Sequence, residues 1–549
     1  MPPLEDIAVY RQRAEQDCIS RLQQALLKEK LVTHVPCSAN TSLELLNTVK
    51  PLLHPPPHPQ QWQCFLNEID NHIANHTLTL YYEEKRHKKM ADVLKNAGYD
   101  NLCQWVLELS PTADKTLFFE QWASQGHPYH PCNKTKLGFS TEENFHYSPE
   151  FGFETNVRLA AIHQDNVHVE TVASNFSYLE WFFHIFPQLQ KNWSFSKEYI
   201  PFPMHPWQTA HLLPQQFQDL LHSNKFHLLD QVTIPTQPTL SFRTVVPNGL
   251  HPPHIKLPVA IQTTSAMRTV SPAAVENGPK ISKILNAIMH QENHFNDTLR
   301  IMYETVGLHL TGVEDTKAKH IAAIFRTNPN RYLESKELGV VVAALFSRSP
   351  IHQTPVFVEL MKLAGVKNIS DAKNYFRRYT TIVLQSYLPL YLFYGIALEA
   401  HQQNTFIVFR NGNPVATMTR DFGGLRLHLP TLQARGFTFT PYVNSAIVKN
   451  ELDEVRNKFL HTTYQYHLGE YVQQLALFFD ISENEFWKIV KSVTEEQFKQ
   501  LKTRIDSNLW QQERTALLEK EWSWKALLRM RLENVSRDYI HVPMKNPLE

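Results

Sequence analysis

Between Glu399 and Asp421 the chain reads Glu-Ala-His401-Gln-Gln-Asn404, an apolar run over 405–409, Arg-Asn411-Gly412-Asn, and an alternating segment over 414–420 that ends at Asp421. An apolar run, an Asn-Gly pair and an alternating run specify a β-hairpin, because Asn and Gly accept the positive φ of a tight turn. A hairpin must bring its two ends back to within one strand spacing, about 4.8 Å. Asp421 is therefore expected beside His401–Asn404. Upstream, Tyr375, Tyr379, Ile382, Leu390, Tyr394 and Ala397 recur at helical spacing, which predicts a helix over 371–398 with Glu399 at or just beyond its end. Two carboxylates, an imidazole and an amide are thus gathered at one spot. The acids and the amide oxygen suit Mg²⁺, which favours oxygen ligands and keeps waters and substrate phosphates in its shell. The competing reading is a polar loop packed under a hairpin.

A chain of 549 residues is too long for one ordinary core, so two or three subdomains are expected. The boundaries read as a helical N-terminal part over 1–125, a central α+β part over 126–385, and a hairpin followed by helices over 386–549. Hydrophobic content of 42% with 19% charged residues is that of a globular protein. A formal charge of +1 and the lack of a long basic stripe argue against a nucleic-acid partner. The basic run 85–89 follows two glutamates and reads as a solvated helix face. Cys18, Cys37, Cys64, Cys103 and Cys132 form no CxxC pair, so neither a zinc framework nor a disulfide scaffold is expected. No signal peptide is visible, and the most apolar run, 387–398, contains Pro389 and is too short to span a bilayer. These features predict a cytoplasmic protein with no membrane partner.

Along the chain, Ile7, Arg11, Ala14, Cys18, Leu22 and Leu26 predict an opening helix, and 83–97 and 100–109 read likewise. His54-Pro-Pro-Pro-His-Pro59 is an extended connector. Gly126-His127-Pro-Tyr-His130-Pro, followed by Lys134, Lys136 and Gly138, is an irregular loop that either holds an anion or is an ordinary turn. Segments 155–163 and 166–171 alternate like a strand pair turning at Asp165-Asn166. In Met204-His205-Pro-Trp207-Gln208 the tryptophan reads as a core anchor, and His205 and Gln208 as candidate cleft liners.

Strands are predicted on both sides of the loop 247–254. The first carries Ser241, Arg243, Thr244 and Val246; the second carries Ile255 and Lys256 and runs on to Thr263, Thr264, Ser265, Arg268 and Thr269. If Val246 pairs with Ile255, Lys256 shares a face with Ser241 and Arg243; a slip by one residue reverses this. Ser, Arg and Lys on one strand face would cradle a polyphosphate. Helices are expected over 281–306, 335–347, 355–364, 371–398 and most of 444–535, with 323–326 ending another helical run. His290 and His294 have metal-ligand spacing but lack the adjacent glutamate of a zinc peptidase.

Taken in order, Gly126-His-Pro-Tyr-His-Pro with Lys134 and Gly138, His205-Pro-Trp-Gln208, Pro238-Thr-Leu-Ser-Phe-Arg-Thr244, Lys256 with Thr264-Ser-Ala-Met-Arg268-Thr, and Glu399-Ala-His-Gln-Gln-Asn404 with Arg420-Asp421 resemble the IucA/IucC family of siderophore synthetases that work without a nonribosomal peptide synthetase. The resemblance covers roughly 120–430. It implies an α+β cupped hand with fingers, palm and thumb. It also implies an enzyme that uses ATP and Mg²⁺ to adenylate a carboxylate, usually of citrate, and passes the acyl group to an amine or hydroxyl. By the same resemblance, Ser241, Arg243, Thr244, Lys256 and one of His127 or His130 would hold the ATP phosphates. Thr264, Arg268 and His401 would hold citrate, and Glu399, Asn404 and Asp421 would serve the nucleotide and its metal. The implied partners are citrate and an amine or amino alcohol, with a homodimer as the one assembly entertained. Two rival readings are a kinase-like phosphotransferase, suggested by Asp421-Phe-Gly after Asn404, and a non-enzymatic binder of citrate or an iron chelate. The first lacks a Gly-rich loop and a His-Arg-Asp catalytic loop.

Overall fold

An eight-stranded antiparallel sheet forms the centre of the computed structural model, which describes residues 4–35, 39–264, 266–295, 297–535 and 539–549. Its strand order is Val167–Thr171, Glu304–Leu310, Ala322–Arg326, His254–Lys256, Thr244–Pro247, Phe226–Pro238, Thr155–His163 and Tyr199–Met204. Thr155–His163 and Val167–Thr171 are both strands, as their alternation predicts, but they do not pair with each other. They lie near opposite ends of the order, joined only by Gln164–Asn166. That connector reaches at most about 14 Å, whereas six strand spacings laid flat need about 29 Å. The sheet therefore curls until its edges approach.

Register sorts the two faces of this sheet. Thr244 lies opposite Lys256, Val245 opposite Ile255, Ile255 opposite Phe325, His254 opposite Arg326, and Arg326 opposite Glu304. Val245, Ile255 and Phe325 enter an apolar cluster with Phe182 and Phe202. By alternation, Thr244, His254, Lys256, Arg326 and Glu304 look the other way. The expected pairing of Val246 with Ile255 is thus wrong by one residue. Ser241 and Arg243 precede the strand in a turn closed by the Thr244 amide donating to Ser241 O at 2.6 Å. Thr244, not Arg243, stands beside Lys256 in the ladder.

The hairpin forms as expected, with strands Thr405–Arg410 and Asn413–Thr419 and a turn at Asn411 (φ 51°) and Gly412 (φ 74°). A Cβ at Gly412 would also stand 2.3 Å from the Leu360 carbonyl oxygen, so the turn packs as only glycine allows. Glu337–Val341 extends the hairpin on one side and Leu299–Ile301 joins it in parallel on the other. Behind it lies the helix Ile369–Tyr394, which stops at Gly395 (φ 63°). The short strand Ile396–Ala397 then carries the chain to Glu399.

At the N-terminus, Ala14, Cys18, Leu22 and Leu26 on Leu4–Lys28 pack against Trp62, Phe65 and Ile69 on the 38-residue helix Pro59–Asn96. The basic run 85–89 on that helix is only partly solvated. Arg86 donates to the carbonyls of Gln121 and Trp122, and His87 stacks on Trp122. Three helical expectations fail. The helix expected over 281–306 is Pro272–Gln291, after which Leu299, Ile301, Val306, Leu308 and Leu310 alternate in two strands. Glu337–Val341 and Ala322–Arg326 are strands as well; both are short apolar runs buried on both sides, for which periodicity does not separate helix from strand. Cys18, Cys64, Cys103 and Cys132 carry free thiols, while Cys37 and Ser265 lie outside the described residues.

Candidate functional site

The polar face of the curled sheet meets the open end of the hairpin at Asp421. The Arg420 amide donates to the Asn404 carbonyl at 3.0 Å, closing the hairpin and leaving Asp421 as the first residue beyond it, at φ 70°. Lys256 Nζ lies 2.8 Å from both carboxylate oxygens of Asp421, and Arg326 is 3.6 Å from one of them while donating to Glu304 at 2.8 Å. Burial alone would push the Asp421 carboxyl up, but Lys256, Arg326 and Arg243 outweigh it and hold it well below the usual range. Arg243 reaches the Thr269 carbonyl at 2.5 Å. Asp421 and Glu304 together thus answer to three cations, Lys256 and Arg326 buried and Arg243 half-buried, which leaves positive charge to be satisfied from outside the protein.

Glu399 forms a second pole. Lys458 donates to it at 2.6 Å, and His401 Nε2 stands 4.0 Å away. Burial opposes ionisation, yet Lys458 and His401 bring its pKa down to about 2. A Cβ at Gly424 would come within 2.0 Å of Glu399 Oε2, so the loop after Asp421-Phe-Gly rests directly on this carboxylate. His401 is pushed below the ordinary imidazole range by burial, against the pull of Glu399. His127, His461 and Lys525 also approach; burial first, and Lys525 with the neighbouring imidazoles second, hold His127 and His461 well below the ordinary imidazole range.

Arg268 lies between the two poles, on the hairpin made by Gln262–Thr263 and Ala266–Met267. It donates through Nε to Thr263 Oγ1 and at 3.1 Å to Thr264 Oγ1. Burial and the neighbouring Arg243 bring its pKa down to about 10, while Glu399 and Asp421 pull it back up. Thr264 has φ 47°, an unusual value for a β-branched residue. The turn carrying Ser241 is tied to the same place. Glu120 accepts from the Leu240 amide at 3.0 Å and grips Arg420 with both oxygens, and Gln403 donates to the Leu240 carbonyl at 3.3 Å. The fold therefore gathers Ser241, Arg243, Thr244, Lys256, Thr264, Arg268, Glu399, His401, Asn404 and Asp421.

The His-Pro loop behaves differently. Lys134 and Lys136 turn inward onto Glu150 at 3.4 and 3.2 Å, and Lys136 also donates to Asn144 and Ser148. They hold the loop in place and are not free anion donors. His127 packs edge-on against Tyr466 with ring centres 4.8 Å apart. His130 uses Nδ1 to accept from the Cys132 amide at 3.0 Å and leaves a buried Nε2 without a partner. Neither His205 nor Gln208 lines a cleft. His205 accepts from the Trp207 amide at 3.2 Å, and Gln208 bridges the His320 carbonyl and the Ala260 amide, each at 3.0 Å. Trp207 is a core anchor, packed with Phe242, Val259 and Ile261. His294 binds the Gln385 carbonyl, so the 290/294 spacing makes no metal pair.

Sequence reasoning missed Arg326, Lys458 and Lys525. The run ending at Arg326 reads as a helix in the sequence, and the two lysines lie in C-terminal segments with no recognised motif. The Mg²⁺ expectation also meets a constraint. Both oxygens of Asp421 and one of Glu399 already face lysines, so the side chains do not form a ready-made oxygen cage. Glu399 Oε2 faces no lysine among the described residues, only the Gly424 backbone and His401 at 4.0 Å, and two carboxylates with an amide remain a suitable donor set for an ion whose other ligands come from a nucleotide. A cleft of about 750 Å³ lies on the far side of the 262–267 hairpin, lined in part by His54–His58 and Arg529–Asn534, and contains none of the groups around Asp421.

Comparison with known proteins matches this architecture to siderophore enzymes. Residues 115–347 match the IucA / IucC family, and residues 373–540 match a family described as ferric iron reductase FhuF-like transporter. The chain is 32% identical over 504 residues to the uncharacterized protein y4xN of Sinorhizobium fredii, covering 88% of this chain and 80% of that one. It is 29% identical to staphyloferrin A synthase of Staphylococcus aureus, covering 82% and 76%. Against D-ornithine–citrate ligase of the same organism the identity is 28%, covering 79% and 70%. Among solved structures, the petrobactin biosynthesis protein AsbB of Bacillus anthracis superposes with a TM-score of 0.79 at 18% identity, covering 99% and 96%. ATP-bound aerobactin synthetase IucA of Klebsiella pneumoniae gives 0.69 at 20%, covering 92% and 85%. The fold is the α+β architecture of these solved siderophore proteins. The chain belongs to the IucA/IucC family.

Proposed function

We propose that the protein is an ATP-dependent ligase of siderophore synthesis. It adenylates a carboxylate of citrate or a citrate derivative and condenses the acyl group with an amine or hydroxyl, releasing AMP and pyrophosphate. The observation that carries this reading is the excess of cations, Arg243, Lys256 and Arg326 with Arg268 adjoining, over the acids in contact with them, Asp421 and Glu304. Such a site suits a reaction in which two anions must meet. Its relatives include a citrate ligase and an ATP-bound synthetase, which support the choice of substrates.

In the first step a carboxylate oxygen attacks the α-phosphorus of ATP and the bond to the β-phosphate breaks. Ser241, Arg243, Thr244, Lys256 and a histidine of the 127/130 pair bind the phosphates. Their charge offsets repulsion between substrates and stabilises charge growing on the α-phosphate. We add Arg326 to this set. Thr264, Arg268 and His401 fix the citrate; the guanidinium holds a carboxylate with two parallel bonds, a geometry lysine lacks. In the second step the acceptor nitrogen or oxygen attacks the acyl carbon and AMP departs. His401, kept neutral by its buried setting, is placed to take the acceptor's proton. Glu399, Asn404 and Asp421 are the groups that would hold Mg²⁺ with the nucleotide, and that ion would supply charge neutralisation. The reading places the enzyme in the cytoplasm, where ATP is available; no described helix is long and apolar enough to cross a membrane.

Product analysis tests the proposal. Incubation with citrate, ATP and a panel of amines and amino alcohols is expected to yield AMP and pyrophosphate together with an amide or ester of citrate. ADP with a phosphorylated product would replace this reading by the kinase-like one.

A further inference from the structure

A second cluster of chemistry-bearing side chains lies at the edge of the eight-stranded sheet, outside the ligase site proposed above. Gly307 and His309 stand on one face of Glu304–Leu310 by the period of two. At Gly307 the helix Pro272–Gln291 approaches so closely that a Cβ would lie 2.5 Å from the Val275 carbonyl oxygen. This close seating delivers Glu276, the next residue of the helix, over His309. His168 is the register partner of His309 on the neighbouring edge strand, so the two imidazoles share that face with ring centres 5.1 Å apart.

The ligand atoms of His168, His309 and Glu276 all lie within 4.8 Å of one another. Glu276 Oε1 is 3.1 Å from His309 Nε2 and 3.8 Å from His168 Nε2. Ligands bound tetrahedrally to zinc at about 2.0–2.1 Å stand about 3.3 Å from each other, so the trio needs only small adjustments to close on an ion. His309 Nδ1 lies 3.0 Å from the Leu310 carbonyl oxygen and donates its proton there, which turns the Nε2 lone pair toward the cluster. Nε2 and Glu276 Oε1, 3.1 Å apart, are both acceptors in the neutral imidazole so tied, and need a proton or a metal ion between them. His168 Nε2 is buried with no hydrogen-bond partner, and Glu170 is 3.6 Å from it. Lys280 balances the other side of the cluster, 3.4 Å from Glu276 Oε2 and 3.9 Å from Glu170, and leaves Oε1 to the histidines.

We propose that His168, His309 and Glu276 bind a divalent transition metal, with Glu170 or water completing the shell. Two imidazoles and one carboxylate favour zinc and its neighbours over Mg²⁺ or Ca²⁺. The ion fastens the helix Pro272–Gln291 to the edge of the sheet. Ala274, in the first turn of that helix, lies 3.7 Å from where a Cβ of Gly423 would stand, so the clamp also steadies the loop after Asp421. The inference does not depend on the ligase reading.

Titration of metal-free, full-length protein with zinc chloride by calorimetry tests it, alongside melting curves with zinc and with EDTA. One tight site and a raised melting temperature are expected for the wild type. His168→Ala, at a partly exposed edge position, and Glu276→Gln should each weaken zinc binding by about tenfold or more and abolish the rise. Melting in EDTA like that of the wild type shows that each variant folds. Cobalt substitution should give the intense visible absorption of a tetrahedral site, lost in both variants. Wild-type stoichiometry and affinity in both variants would assign zinc to others of the 28 histidines and overturn the proposal; so would a wild type that binds no zinc.

Discussion

Two carboxylates in this molecule, Glu150 buried and Asp421 half-buried, are surrounded by cations, and they differ in what the cations have left to do. Glu150 is held well below the usual range because Lys134 and Lys136 outweigh the effect of burial, and Lys136 is further bound to Asn144 and Ser148. That cluster is closed. Asp421 is held down by Lys256, Arg326 and Arg243, with Arg268 adjoining; Glu304 also pairs with Arg326, and two carboxylates do not balance four cations. The same residue types thus make a strut in one place and an open anion site in the other. The sequence shows basic residues in both; the difference lies in whether the fold brings each cation onto a carboxylate, as it does Lys134 and Lys136, or leaves it bound to neutral oxygens among the described residues, as it does Arg243 and Arg268.

The largest effects should separate these two carboxylates. Asp421→Asn is expected to lower citrate-dependent turnover about a hundredfold or more, as loss of a preorganised charge at a reacting centre does. Glu150→Gln should instead destabilise the fold by about 3 kcal/mol, the cost of stranding buried lysines, with turnover per folded molecule unchanged. Melting curves together with AMP release per folded molecule read both. If Glu150→Gln abolished turnover while melting normally, the contrast would collapse.

Next in size, Arg268→Lys should be nearly as harmful as Arg268→Ala. The charge survives, but the paired bonds do not, each worth about 1.5–3 kcal/mol, so at least a tenfold loss is expected at low citrate. Near-normal activity at low citrate would remove Arg268 from the carboxylate clamp.

Lys458→Met sharpens the comparison at the other pole. Glu399 has a folded pKa of about 2, below the unfolded carboxyl value of 4.5, so its ionisation stabilises the fold above that value. This contribution disappears only as pH falls from 4.5 towards 2. Without Lys458 burial would dominate, the Glu399 pKa would rise, and stability would fade at a higher pH. An acid denaturation curve shifted to higher pH is the expected result, and an unshifted curve would contradict the assigned pairing. The smallest effect belongs to His205→Asn, which keeps an acceptor for the Trp207 amide; a modest loss of melting temperature with unchanged turnover would show that this motif residue is structural.

How far the sequence reveals all this depends on the kind of signal each residue sits in. The 405–419 hairpin is legible because Asn411-Gly412 fixes its turn, although a bulge between Val408 and Phe409 shifts the register by one beyond the first two pairs. The 244–256 pair is legible only as two strands: the loop between them leaves the register open, and the slip by one puts Thr244 rather than Arg243 beside Lys256. Arg326 was misplaced because Ala-Ala-Ile-Phe carries no period to distinguish strand from helix. Lys458 was invisible because it joins Glu399 through tertiary packing alone. The family resemblance named the residues of the motifs, but it did not show that Lys134 and Lys136, inside one of them, were already paired with Glu150.

The central claim is that the cation-rich site at Asp421 joins a carboxylate to the α-phosphate of ATP. Citrate labelled with ¹⁸O in its carboxylates, incubated with ATP and a productive amine, tests it most directly. When the acyl adenylate breaks down by attack at carbon, one carboxylate oxygen stays on phosphorus, so AMP should carry a single ¹⁸O and pyrophosphate none. Label in orthophosphate alongside ADP would mean that the γ-phosphate is the group attacked, and would contradict the account.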